Sequence, residues 1–348
     1  MALISLDYLT EKESGMKIMK TAFGFMIGFG VAVLCTVQQA VIAEEAVPEG
    51  SVSQPGDFAQ GEVGVLRAAV ESLTGDVYAE PSRWQPLSLG SFFSEGWNEA
   101  WASPSNGEGG APRQGWLNAA DGVFYRLNIA TFGYAHGANG AGDQYTGGDT
   151  LYTSLSRRFA LQYDVPYVVS KQGSQGQPSH TSFGDFQITP RFILSETKAV
   201  TQSFNLSFRT PTGDEDTGNG VAAVTPNYQF WANWCKGLVL RGSAGLSLPY
   251  DNVDDTNARS LLVGNLAVGY YFTPHECTPV GDLVGYVSAN FNHAVDDRGP
   301  NDPTNVTITP GFRTHLGQNW YLLGGVEFPV TEPKSFDYQP MMGLMLVF

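Results

Sequence analysis

Residues 338–348 read YQPMMGLMLVF, running from Tyr338 to Phe348, and this stretch decides the fold class. Taken two at a time, Tyr338, Pro340, Met342, Leu344, Leu346 and Phe348 fall on one face. Period-two apolarity marks a strand with one face in an apolar medium. At the edge of a soluble sheet such a strand would template aggregation. A closed barrel removes the edge, because its last strand pairs with its first. An alternating apolar strand closed by an aromatic therefore points to a membrane-spanning antiparallel β-barrel rather than a soluble β-sandwich.

Working back from that strand, roughly twelve alternating segments are expected from Val123 onward. In the first, Val123 to Tyr134, the residues Val123, Tyr125, Leu127 and Ile129 are expected to face lipid, with Arg126 and Asn128 inside. The second, Leu151 to Leu155, is short, and Phe159 to Val169 forms the third. Further segments centre on Phe186–Leu194, Phe204–Phe208, Val224–Phe230, Leu238–Leu248, Leu262–Phe272, Leu283–Phe291, Val306–Phe312 and Trp320–Phe328. Short connections fall near Ser156–Arg158, Ser195–Lys198, Asn233–Gly237 and His315–Gln318, with Thr273–Asp282 intermediate. Long Gly- and Asp-rich ones fall at His136–Asp149, Ser170–Thr181, Thr212–Asn219, Asp251–Ala258 and Asp296–Pro303. Short turns at one end and long loops at the other is the arrangement of outer-membrane barrels, with both termini expected in the periplasm.

Composition agrees. Only 15% of the 348 residues are charged, against roughly 25% in ordinary soluble domains, and 41 are glycine. The formal net charge of −15 argues against a nucleic-acid partner. Residues 1–43 read as a signal peptide, with a basic Met16–Lys20, an apolar Thr21–Leu34 and a cleavage site after Ala43; Met16 or Met19 is an alternative start. Residues 44–121 read as a periplasmic or plug-like segment with one short helix, on the spacing of Val63, Leu66, Val70 and Leu73. Trp84, Phe92, Phe93, Trp97, Trp101 and Trp116 lie in it and call for burial. Residues 122–348 are assigned to the barrel.

If the apolar face meets lipid, the other face lines a lumen. The expected pore-lining residues are Arg126, Asn128, Asp164, Asp185, Gln187, Arg191, Asn205, Arg209, Gln229, Arg241, Asn290, Arg313 and Glu327. This set is a polar pore with a basic bias toward anions, or equally a set of arginine–carboxylate braces filling a narrow barrel. Cys235 and Cys277 fall in connections on one side, where a disulfide or two free thiols are the alternatives. The acidic loops lack the fixed spacing of a calcium site, and no cysteine–histidine spacing suggests zinc, so no metal or cofactor is expected. None of the five histidines lies beside a nucleophile motif, so an enzyme is not expected.

Ser182-Phe183-Gly184-Asp185-Phe186, followed by Phe208-Arg209-Thr210-Pro211-Thr212-Gly213-Asp214, resembles the outer-membrane proteins associated with phenol meta-pathway degradation. The resemblance spans about Val123 to Phe348 and implies a channel for small compounds, aromatic ones among them. It supplies no binding residues. The expectation is passive transport of small solutes across the outer membrane, aromatic or anionic compounds among them, with membrane lipid and the solute as partners. The alternatives are a structural or adhesion-type barrel and, further off, a barrel hydrolase. Oligomeric state is left open.

Overall fold

The computed structural model describes residues 64–75, 84–103, 111–113, 115–122, 124–138, 142–171, 180–214, 217–251, 253–256, 258–296 and 304–348. All belong to one compact unit, Gly61–Phe348. The expected signal peptide and Val123 lie outside the described residues.

Alternation has produced long strands: β1 (Leu127–Ala138), β2 (Gly142–Ser154), β3 (Phe159–Lys171), β5 (Gln187–Glu196), β6 (Val200–Arg209), β7 (Ala223–Cys235) and β8 (Leu238–Pro249). After them come β9 (Leu261–Tyr271), β10 (Gly281–Ala294), β11 (Thr304–Gly317), β12 (Trp320–Pro329) and β13 (Gln339–Val347). A three-residue β4 (His180–Ser182) folds back on the end of β3. Helix α1 (Val65–Thr74) precedes the barrel, and α2 (Val253–Thr256) sits in the β8–β9 loop. Each long strand pairs antiparallel with its neighbours, β13 pairs with β1, and β2 pairs with β3. Leaving β4 aside, the ring closes on twelve strands and has no edge.

The pairing register carries one parity around the whole ring. In β13, Met342 and Leu344 are exposed while Met345 is fully buried. Met342 pairs with Phe132, and the same parity followed round the ring continues the outer belt through Phe328, Phe312, Val287, Val268 and Phe204, all exposed. Glycines cross-strand from outer aromatics are covered by them: Phe230 lies over Gly242, Phe291 over Gly264 and Phe312 over Gly324. A side chain there would collide with the ring, so each pair fixes register. An arginine at Leu344 would face hydrocarbon near mid-strand and should cost about 2–4 kcal/mol. Refolding of Leu344→Arg into lipid vesicles, followed by denaturant titration, checks this; stability equal to the parent would contradict the assignment of that face.

Two expectations about the first hairpin need correction. Leu127 and Ile129 are buried and face inward, as does Tyr125 just below the strand, while Asn128 pairs with the outer residue Leu346 and faces out. The phase is reversed because the interior is not water here: Ile129 lies against Gly115 of the preceding segment, and Ile129 and Leu117 both lie over Gly343. Second, the expected long loop His136–Asp149 is mostly strand. β2 starts at Gly142 and follows β1 from Ala138. Gly142, Asp143, Gln144, Gly147 and Gly148 carry no apolar alternation, and only the ladders with β1 and β3 hold them extended.

Candidate functional site

The described residues between 111 and 125 run inside the barrel, and side chains from most of the wall hold them. Trp116 is the centre. Its indole stacks on Tyr286 of β10 at 4.7 Å and 10°, and the Arg241 guanidinium of β8 lies 4.1 Å from its ring centroid. The indole N–H donates to the Tyr271 hydroxyl at 3.3 Å. Gly269 lies beneath, where a Cβ would come within 2.6 Å of the ring, so β9 needs a glycine at this position. The Tyr271 and Tyr286 hydroxyls donate to the carbonyls of Pro112 and Leu117 at 3.0 Å each.

The next residues satisfy their backbone on an asparagine. The Asn265 side chain accepts from Ala120 N–H at 2.9 Å and donates to the Asn118 carbonyl at 2.9 Å. It also donates to Asn290 Oδ1 at 2.7 Å. Asn118 has φ of 51°, a left-handed turn that asparagine tolerates, and its amide donates to Thr309 at 3.2 Å. Arg191 of β5 donates to the Asp121 carbonyl and lies over Phe124 and Tyr152. These contacts satisfy backbone groups that would otherwise be buried unpaired.

At the turn end the same chain is fastened through charge. Arg113 is buried against Trp231, 4.5 Å from its ring centroid, and donates to Thr201 at 2.7 Å and to the Thr197 carbonyl at 2.6 Å. It pairs with the buried Glu196 at 3.4 Å. Glu196 also accepts from the Trp84 indole at 3.3 Å, lies 3.7 Å from Arg157, and exchanges both backbone hydrogen bonds with Leu87.

Inward-facing side chains therefore grade along the barrel. Toward the long loops Gln162, Asp164, Gln187, Arg209, Gln229, Asn290 and Glu327 are half-buried. Asp164 accepts there from Thr150, Gln162 and Gln187 at 2.8–3.1 Å. Toward the turns Arg191, Arg241, Arg313, Trp231, Leu323 and Met345 are fully buried. Asn205 faces inward between these groups and is also buried.

Ten of the thirteen expected lumen residues thus face the interior, and three do not. Asn128 faces out and donates to Asp149 at 2.7 Å. Arg126 lies below the strand, where it binds the Gly75 carbonyl and lies over Trp101. The Asp185 carboxylate accepts from Gly213 N–H at 3.0 Å and from both amides of Asn219 at 2.8 Å, which makes it the clamp of the β6–β7 loop. Cys235 and Cys277 are free, exposed thiols. Their turns, β7–β8 and β9–β10, stand two strand spacings apart, about 10 Å, beyond disulfide reach. Sequence reasoning missed Arg113, Trp116 and Asn265 as the holding set; the aromatic count of 84–116 was the available signal.

A family model described as "Putative MetA-pathway of phenol degradation" matches residues 118–337. Among solved structures, an outer membrane channel from Pseudomonas putida F1 matches with a TM-score of 0.52 at 12% identity, covering 68% of this chain and 99% of that one. The NanC porin matches with a TM-score of 0.45 at 8% identity, covering 64% and 98%. The KdgM porin matches at 0.43 and 10%, covering 64% and 99%. At these identities the likeness is one of fold, that of an outer-membrane barrel. No curated protein matches the sequence.

Proposed function

The chain belongs to the MetA-pathway phenol-degradation family, and from that premise we propose that it is an outer-membrane channel for passive entry of small solutes, aromatic or anionic compounds among them. Both termini lie on the periplasmic side in this reading, and residues 111–125 act as a plug near the turn end. The observation that carries it is the burial gradient: a polar, half-open vestibule toward the long loops above a fully packed floor. A solute descending its gradient enters the vestibule and passes when the plug shifts. No barrel-spanning strand has to break for this, because the hydrogen bonds described between residues 111–125 and the wall run through side chains and not through strand ladders.

Arg209 stands on the vestibule wall opposite Gln187 and across from Asp164 through the ladder. Reversing it should remove the attraction for carboxylates while leaving neutral solutes alone. Uptake of benzoate, phenol and a neutral sugar by vesicles carrying the refolded protein tests this. Arg209→Glu is expected to slow benzoate up to about tenfold, equivalent to about 1.4 kcal/mol, with the sugar unchanged. Equal loss for all three solutes would argue against Arg209 as the group that attracts carboxylates. The packing of the floor also suits a barrel that carries nothing and serves as scaffold; absence of uptake from folded, inserted protein would favour that reading.

A further inference from the structure

α1 and the segment 88–97 carry apolar surface that the protein does not cover. On α1, Ala68 and Ser72 share one face and are buried against the protein, where Ser72 Oγ accepts from Trp101 N–H. Leu66, Val70 and Leu73 share another face and are exposed, Leu66 by 83%. Arg67, Glu71 and Thr74 fall on a third stripe. In the second segment Phe93 is 92% exposed and Leu89 is exposed beside it.

The placement of both is set by residues of the wall. Arg126 continues the outward parity of β1 below Asn128, and its guanidinium donates to the Gly75 carbonyl at 2.7 Å, just past α1. The helix is thereby tied to the outer side of the wall foot, where Phe348 N–H also donates to the Arg126 carbonyl. In the second segment Trp97 packs 6.2 Å from Phe192, an outward residue of β5. Phe92 stands edge-on to both Phe93 and Trp97. Arg158, in the β2–β3 turn, pins this segment by donating to the carbonyls of Ser88 and Glu95 at 3.1 and 2.9 Å and by lying over Phe92. Both apolar patches thus continue the lipid-facing belt at its turn end, where Trp234, Tyr270, Phe272 and Trp320 are also exposed.

We infer that α1 and residues 88–97 form a collar seated in the phospholipid interface of the leaflet at the turn end, with Leu66, Val70, Leu73, Leu89 and Phe93 inserted among the acyl chains. A helix with small residues toward protein, apolar ones toward lipid and polar ones toward water is matched to that boundary. Phenylalanine and leucine on such an apolar face suit the same boundary. The occupant is lipid because the exposed faces are continuous with a belt that lipid already covers. The collar stands on the barrel fold alone and holds whether or not solutes pass.

The test uses the full chain refolded into phospholipid vesicles, in a background of Cys35→Ser, Cys235→Ser and Cys277→Ser. An environment-sensitive fluorophore is attached at Leu66→Cys or Phe93→Cys. Val268→Cys on the outer belt and Lys236→Cys in the β7–β8 turn serve as the lipid and water references. Heat-modifiable migration on gels shows that each variant has folded. The expected result is blue-shifted emission at both collar positions, quenched by nitroxide lipids labelled just below the headgroup. Emission matching Lys236→Cys at either position would overturn the collar. So would blue-shifted emission that the nitroxide lipids leave unquenched, because protein would then be the cover.

Discussion

Replacing Trp116 by alanine is expected to unseat the inner segment and raise solute flux through the barrel by up to about two orders of magnitude. Burying a tryptophan of this kind is worth roughly 3–5 kcal/mol against alanine. Here the ring holds together three wall residues, Tyr286, Tyr271 and Arg241, through a stack, an indole N–H donation and a cation–π contact. None of these contacts belongs to a strand ladder. The loss therefore falls on the docking of residues 111–125 and leaves the barrel itself standing. A change of about 3 kcal/mol displaces a closed-to-open equilibrium roughly 150-fold. Conductance in planar bilayers and vesicle uptake of a neutral sugar measure the effect. Trp234→Ala, on the outer rim, is the matched control and should leave flux unchanged. If Trp116→Ala conducts like the parent, the inner segment is not what closes the channel.

The terminal strand was legible because both requirements on it agree: lipid outside demands Met342 and Leu344, and the closed ladder demands nothing of the other face. The twelve-stranded ring followed from repeating that pattern. β1 was read in the wrong phase for the opposite reason. Both of its faces meet apolar surroundings, lipid at Phe132 and the inner segment at Ile129, so alternation carries no information about direction. β2 was read short because its upper half is extended by pairing alone. Arg191, Arg241 and Arg313 were correctly read as inward, yet their burial was not readable. Arg191 and Arg241 lie against Phe124 and Trp116, over sixty residues away in sequence, and nothing local to either arginine signals them. Arg313 lies over Tyr271 and Tyr321 of the wall itself, pairings that only the strand register brings together.

Glu196→Ala should detach the inner segment from the rim, at a cost of about 3–5 kcal/mol, because it removes one member of a buried ion pair and leaves the other behind. Arg113 would remain enclosed by Trp231, Thr201 and the Thr197 carbonyl without its carboxylate. Burial already pulls the Arg113 guanidinium below its usual pKa, and the Glu196 charge opposes that pull. With Glu196 gone the desolvation cost stands uncompensated, and moving Arg113 back into water becomes the cheaper arrangement. Arg157 suffers less, since Glu99 at 3.1 Å and the Gln85 carbonyl still hold it. Glu196→Gln separates the two contributions: it keeps the volume and an acceptor for the Trp84 indole but loses the charge. Flux and protease sensitivity of the segment before β1 should therefore rise in the order parent, Glu196→Gln, Glu196→Ala, while the heat-modifiable shift of the folded barrel persists in all three. A Glu196→Ala protein with parental flux and an uncut N-terminal segment would show that the stacking around Trp116 holds the segment without help from the rim.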